Sequence, residues 1–309
     1  MSRNKSKPTE VLLRGLDGSN PLAFLAALGT LRVLAESWPE HEVRMAWHIG
    51  AGAWRPVVMW EGLPGSDGTD NLLETLNREL AEEGDSAAFG FASDLKLDPA
   101  QFREFALGAR ETALCGGSQH DAGFAAAFAC EVCLHNDGSV QDTAFRTMSG
   151  AGHQHFIGSM KELAKGTARE HLQRALLEPW DYRDEKPSMR WDPVDDRRYA
   201  LRWSDPSGDA IKTMRGANRL AIEGLPLLPT CPVGKRLATT GFNTFSFWTW
   251  PIWEPWLSGE VVKTLLALEE LQSKIPDRRL LMARGIGEVF RCERITVGKF
   301  RNFTPAQSV

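Results

Sequence analysis

Among residues able to do chemistry, the histidines stand out first. His120-Asp121 is an HD dipeptide, and His153-Gln-His155 sets two more imidazoles further along the chain. Imidazoles and carboxylates together hold divalent metals, and a bound divalent ion activates water for phosphodiester hydrolysis. On that reading His120, Asp121, His153 and His155 form a metal-dependent nuclease site. An HD pair alone has little specificity, and spacing does not locate the further His and Asp such a site needs. A polar turn at a helix start accounts for the same residues. A third role suits the Ser149-Gly-Ala-Gly152 amides with His153 and His155: gripping a phosphate without cleaving it.

The thiols give a second candidate. Cys130-x-x-Cys133-x-His135 resembles half a zinc site with His120 as a distant fourth ligand, but no second C-x-x-C completes it. Both cysteines also suit a buried Ala-rich segment, so no metal is assigned to them. The cysteines, at 115, 130, 133, 231 and 292, are odd in number and scattered, which fits a reducing cytoplasm better than a disulfide framework. The chain has no P-loop, no G-x-S-x-G elbow and no dinucleotide fingerprint after a strand. No catalytic set and no cofactor are therefore expected.

Basic and aromatic residues interleave more persuasively. Arg190-Trp191, Arg197-Arg198-Tyr199 and Arg202-Trp203 alternate guanidinium groups with flat rings, as phosphate neutralisation plus base stacking requires. Arg215 and Arg219 follow one helical turn apart, and Lys235-Arg236 sits in a Gly-flanked loop. Asp192, Asp195, Asp196, Asp205 and Asp209 are numerous enough to consume these charges internally. The tail is less balanced: Lys274, Arg278, Arg279, Arg284, Arg291, Arg294, Lys299 and Arg301 face Asp277, Glu288 and Glu293. The net charge of -4 argues against a uniformly positive surface but allows a local one.

These residues need a scaffold, and the stretch 15–36 organises it. Asn20 or Ser19 caps a helix with Pro21 at its first position. Leu22, Phe24, Leu25, Ala26, Leu28, Leu31, Val33 and Leu34 then fall on every side, so this helix is expected to be buried all round. Its apolar run is shorter than the roughly 20 residues a bilayer needs, and Arg32 would sit inside it. Asp17 and Asn20 precede it without a basic lead, unlike a secretory signal. No membrane association and a cytoplasmic location are expected.

Periodicity predicts strands at 10–15, 42–49 and 54–60, then an amphipathic helix through Leu72, Leu73, Leu76 and Leu80. A strand is expected at 89–97 and a helix from 99 to about 114 with Asp98 as cap. The Ala-rich run 122–134 favours helix, 142–147 reads as strand, and 154–165 and 168–178 read as helices. Helical patterns recur at 217–228 and 260–274, strand patterns at 199–203 and 242–256, and a strand hairpin over 278–303. The expected fold is α+β, a mixed sheet around the buried N-terminal helix with additional amphipathic helices. Residues 10–178 would form an N-terminal α+β domain. Residues 179–309 would be a Trp/Arg-rich C-terminal region, either separate or packed with it as one body. Eleven tryptophans stand against two tyrosines, and seven lie between Trp180 and Trp256 (180, 191, 203, 248, 250, 253 and 256), most of them expected to be structural.

The segments GLDGSNPLAFLAALGTLRVL, MSGAGHQHFIGSM, RWDPVDDRRYALRW and GANRLAIEGLPLLP together resemble a CRISPR-associated family. These are the proteins of about 300 residues from type I-G (formerly I-U) loci, described as small relatives of the large subunit or as an extension of the helicase-nuclease. The resemblance spans about 13–247. It implies a non-enzymatic subunit that works with other interference-complex subunits, guide RNA, target DNA and the helicase-nuclease. It carries over no catalytic residue.

Overall fold

The computed structural model describes residues 8–62, 67–148, 155–195, 212–243, 246–297 and 300–309. The first third holds β1 (Thr9–Leu12), α1 (Pro21–Ser37), β2 (Arg44–Gly50), β3 (Ala53–Trp60), α2 (Gly68–Glu82) and α3 (Pro99–Leu114). Next come α4 (His120–Phe128), β4 (Ala129–Leu134), β5 (Val140–Asp142), α5 (Phe156–Gly166), α6 (Arg169–Leu177) and β6 (Asp184–Glu185). The remainder holds β7 (Lys212–Thr213), α7 (Arg215–Gly224), β8 (Thr230–Val233), β9 (Arg236–Thr239), β10 (Phe242–Asn243) and β11 (Phe247–Trp253). It closes with α8 (Gly259–Leu266), α9 (Arg278–Ala283), β12 (Ile286–Val297), β13 (Phe300–Phe303) and β14 (Gln307–Ser308). The fold is α+β. Every strand pair among the described residues is antiparallel, so the sheet expected to be mixed is instead a set of antiparallel ones: β1-β3-β2, β10-β11-β12-β13 with β14 on β12, and three two-stranded pairs.

Helix α1 starts as its sequence dictates. The Asn20 side chain accepts from the Ala23 amide, and Pro21 follows at N1. Every residue from Pro21 to Leu34 is buried, including Thr30 and Arg32. Thr30 Oγ1 donates to the Ala26 carbonyl at 2.8 Å, which satisfies a hydroxyl that burial would otherwise strand. Phe24 lies among Trp47 of β2 and Trp248, Trp250 and Trp253 of β11, with ring centroids 5.7–6.2 Å apart. Two of these indoles reach backbone carbonyls far away in sequence: Trp250 donates to the Gly18 carbonyl and Trp253 to the Met45 carbonyl, both at 2.9 Å.

Helix α7 crosses α1 in backbone contact. A Cβ at Gly29 would overlap the Leu220 carbonyl, and one at Gly224 would come within 2.6 Å of the Leu25 carbonyl. This crossing packs the 10–178 stretch directly against the 179–309 stretch, and one cluster of buried apolar residues runs from Val11 to Phe303. Among the described residues no helix is long and apolar enough to cross a membrane.

Several expected elements differ. Residues 90–97 form a loop after the 3-10 turn Ala87–Phe89 rather than a strand, and Phe89, Leu95 and Leu97 are buried from this irregular backbone. The Ala-rich run divides into α4 and β4 at Ala129, whose backbone is extended. The strand expected at 142–147 ends at Asp142, and the helix expected to reach 274 ends at Leu266. Residues 278–283 are helical, because Asp277 caps the Arg279 and Leu280 amides before the hairpin of β12 and β13 begins. The strand expected at 199–203 lies outside the described residues.

Candidate nucleic-acid interface

His120 begins α4, and its neighbours come from far away in sequence. Its Nε2 lies 3.2 Å from Glu223 Oε2 on α7 and 3.6 Å from Glu83 Oε2, while its Nδ1 is 3.6 Å from Asp121 Oδ1. Glu223 is fully buried. One of its carboxylate oxygens accepts from Arg219 Nη1, and the other from Arg32 Nη1 at 2.7 Å. Arg219 also donates to the Leu80 carbonyl and stacks over Phe89 at 5.5 Å. Arg32 reaches Glu36 one turn on, at 2.9 Å.

Burial lowers the His120 pKa, but the Glu223 charge and hydrogen bonds to Asp121 and Glu223 outweigh it and lift the group to about 9. Burial and the Glu223 charge push Glu83 up to about 8. Burial opposes ionisation of Glu223 as well, yet Arg219, His120 and Arg32 hold its carboxyl well below the usual range. The result at neutral pH is an imidazolium between the Glu223 carboxylate and a largely protonated Glu83, with two guanidiniums on Glu223.

Glu83, His120 and Glu223 bring possible ligand atoms within 4.8 Å of one another. Both oxygens of Glu223 already accept from guanidiniums, so the group lacks the open, anion-rich face that a hydrolytic divalent ion requires. The Asp121 carboxylate caps the Ala88 amide at 2.9 Å. His155 stands apart from this group as N-cap residue of α5, and His153 lies outside the described residues. Cys130, Cys133 and His135 belong to no group of metal-ligating side chains among the described residues; Cys133 is a buried free thiol on β4.

The expected basic-aromatic contacts separate into three sets. The first, Trp191, Arg219 and Arg190, is buried and leaves the proposed surface. Trp191 is fully buried, donates from Nε1 to the Phe145 carbonyl at 2.9 Å and meets Phe145 and Phe156 edge-on. Arg219 is fully buried against Glu223, because an (i, i+4) pair facing α1 neutralises itself in the interior. Arg190, 9% exposed, holds a left-handed backbone at φ 58 and donates to Asn302 Oδ1 on β13 at 3.3 Å.

A second set is accessible. Arg215 is half-buried and donates to the Lys186 carbonyl, and His155 is half-buried. Lys235 and Arg236 are exposed at the β8–β9 turn, where Gly234 adopts φ 61. The third set, Arg197, Arg198, Arg202, Trp203 and His153, lies outside the described residues.

A different arginine group forms beside the β12–β13 hairpin. The Arg146 carbonyl accepts from Arg294 Nη2 at 3.2 Å and from Arg301 Nη1 at 3.5 Å. The Arg146 guanidinium is held by Asp142 at 2.5 Å and Asp94 at 3.0 Å. Among the described residues Asp94 and Asp142 both pair with Arg146, and Arg294 and Arg301 are half-buried next to it. Burial, the Arg301 charge and the Arg146 charge together push Arg294 down to about 9, with Asp142 opposing, so it stays charged at neutral pH. Burial lowers Arg301 as well. Tail composition pointed to Arg294 and Arg301. Nothing in the sequence marked Arg146, Asp94 or Asp142, since residues 94, 142, 146, 294 and 301 meet only in the fold.

Set against known protein families, curated proteins and solved structures, the chain matches none.

Proposed function

We propose that this protein is a non-enzymatic nucleic-acid-binding subunit of a type I-G CRISPR interference complex. In this role it acts with the other subunits, guide RNA, target DNA and the helicase-nuclease in RNA-guided recognition of foreign DNA, in the cytoplasm. The observation that carries the reading is the meeting of three arginines beside the β12–β13 hairpin: the half-buried Arg294 and Arg301 both donate to the Arg146 carbonyl, next to the Arg146 guanidinium on Asp94 and Asp142. Guanidiniums gathered near a surface attract a polyanion, and a phosphate backbone supplies one without sequence readout. The exposed Lys235 and Arg236 add charge to the accessible surface.

The test is to purify the protein with its neighbouring gene products, ask whether guide RNA accompanies it, and titrate target DNA over a salt series. Arg294→Ala and Arg301→Ala should each weaken binding across all sequences and reduce the salt slope by about one unit. Unchanged affinity and slope in the double variant would overturn this assignment of the surface. Divalent-dependent DNA cleavage lost on His120→Ala would replace the reading with a nuclease.

A further inference from the structure

At the N-terminal end of α1 the chain leaves a cavity of about 510 Å³. Its walls come from the loop before α1, from β3, from the segment after α6 and from the turn between β13 and β14. Gly15 fixes one wall. Its amide donates to the Leu176 carbonyl at 2.9 Å, and a Cβ there would overlap the Ala175 carbonyl, so the loop lies flat on the end of α6.

Three features give the cavity a chemistry. Arg14 lines it from an exposed position, and its side chain makes no hydrogen bond or ion pair among the described residues. Arg55 lines it too, with Nη1 donating to the Leu16 carbonyl at 2.8 Å. Trp180 presents a half-buried ring whose orientation is fixed: its Nε1 donates to the Ala175 carbonyl at 2.9 Å and its ring meets Tyr182 edge-on at 6.1 Å. Tyr182 holds a left-handed backbone at φ 50, a conformation non-glycine residues rarely adopt, and its hydroxyl hydrogen-bonds Asp192 Oδ2 at 3.2 Å. The nearby acids are engaged: Asp17 accepts from the Ser19 amide and hydroxyl, and the buried Asp192 accepts from Asn20, Tyr182 and the Val194 amide.

We propose that this cavity binds one nucleotide, the base stacked on Trp180 and the phosphate held by Arg14 and Arg55. A fixed indole face suits any planar base, and two guanidiniums without carboxylate partners suit a phosphate. The volume lies within the range of small-molecule sites, roughly 300–1,000 Å³. The site is separate in its residues from the Arg146, Arg294 and Arg301 group. It rests on the nucleic-acid reading only for the source of the nucleotide, which is either a base splayed from a strand or a free nucleotide.

Calorimetry of the full chain with AMP, GMP, CMP and UMP, and anisotropy with labelled single-stranded DNA and RNA, form the test. Arg14→Ala and Arg55→Ala should each weaken mononucleotide binding about tenfold and reduce its salt dependence. Trp180→Ala should weaken it about tenfold or more, and Trp180→Phe should restore most of it. Adenosine should bind more weakly than AMP and ignore Arg14→Ala. Arg14 is exposed, so its variant should keep the wild-type melting temperature and report on binding alone.

Mononucleotide binding that all three alanine variants leave unchanged, or no mononucleotide binding at millimolar concentration, overturns the site. If strands bind and depend on Arg294 and Arg301 but not on these residues, the site falls and the proposed function stands. If mononucleotides bind here while no strand binds the assembled complex, the site stands for a free nucleotide and the proposed function falls.

Discussion

The ion network around Glu223 and the arginine group around the Arg146 carbonyl use the same side-chain types and differ in burial. In the first, Arg32, Arg219 and His120 face Glu36, Glu83, Asp121 and Glu223, all between packed helices and turns. In the second, Arg294 and Arg301 lie beside an arginine that already holds Asp94 and Asp142. Interior charge must be compensated because desolvation is costly, whereas charge at a half-open site is screened by water and salt. A buried, paired arginine therefore says little about binding, and several arginines meeting near the surface say more.

Removing a member of each group gives opposite expectations. Glu223→Ala leaves Arg219 and Arg32 buried with no counter-charge from α7, and should destabilise by about 3–5 kcal/mol in urea denaturation. A loss below about 1 kcal/mol would mean that the network is solvated and the contrast false. Trp191→Ala should cost a comparable amount, about 3–5 kcal/mol, because it empties a core site rather than a surface one. Its folded fraction should bind nucleic acid normally.

The pH dependence sharpens the comparison. Glu83 and His120 both hold their protons more tightly in the fold than in the unfolded chain, at about 8 and about 9 against ordinary values of 4.5 and 6.5. Their contribution is complete at low pH and is lost as the pH rises through those values. Glu223 acts oppositely, being held below its ordinary value, so its contribution is lost toward acid. The melting temperature should therefore decline between neutral pH and pH ~9–10. His120→Asn should flatten that decline, and a melting curve indifferent to pH there would remove the imidazolium from the network.

The smallest effect on stability belongs to the open group. Arg294→Ala and Arg301→Ala should shift stability by no more than about 1 kcal/mol while changing salt-dependent binding. A large loss of folding in either would mark that group as structural as well. Lys235→Ala with Arg236→Ala should leave melting unchanged, since both are exposed on a turn.

The sequence by itself determined the strongly punctuated parts. Asn20 and Pro21 start α1, Asp98 and Pro99 start α3, and the apolar residues around α1 require cover on all sides. Capping and periodicity are local, so they can be read from neighbours in the chain. The (i, i+4) spacing of Arg219 and Glu223 was legible in the same way, but its burial was not. Only the tertiary structure decided which charges are interior. Gly29 and Gly224 bring α1 and α7 into backbone contact, and that approach draws Arg32, Glu83 and His120 onto Glu223. The folding of the β12–β13 hairpin against the 142–147 stretch likewise joins Arg294 and Arg301 to Arg146. Whether a side chain meets water or a counter-charge depends on segments a hundred or more residues away, as with His120 and Glu223, 103 apart in sequence. No local pattern encodes such a meeting, because its energy comes from desolvation and pairing across the fold.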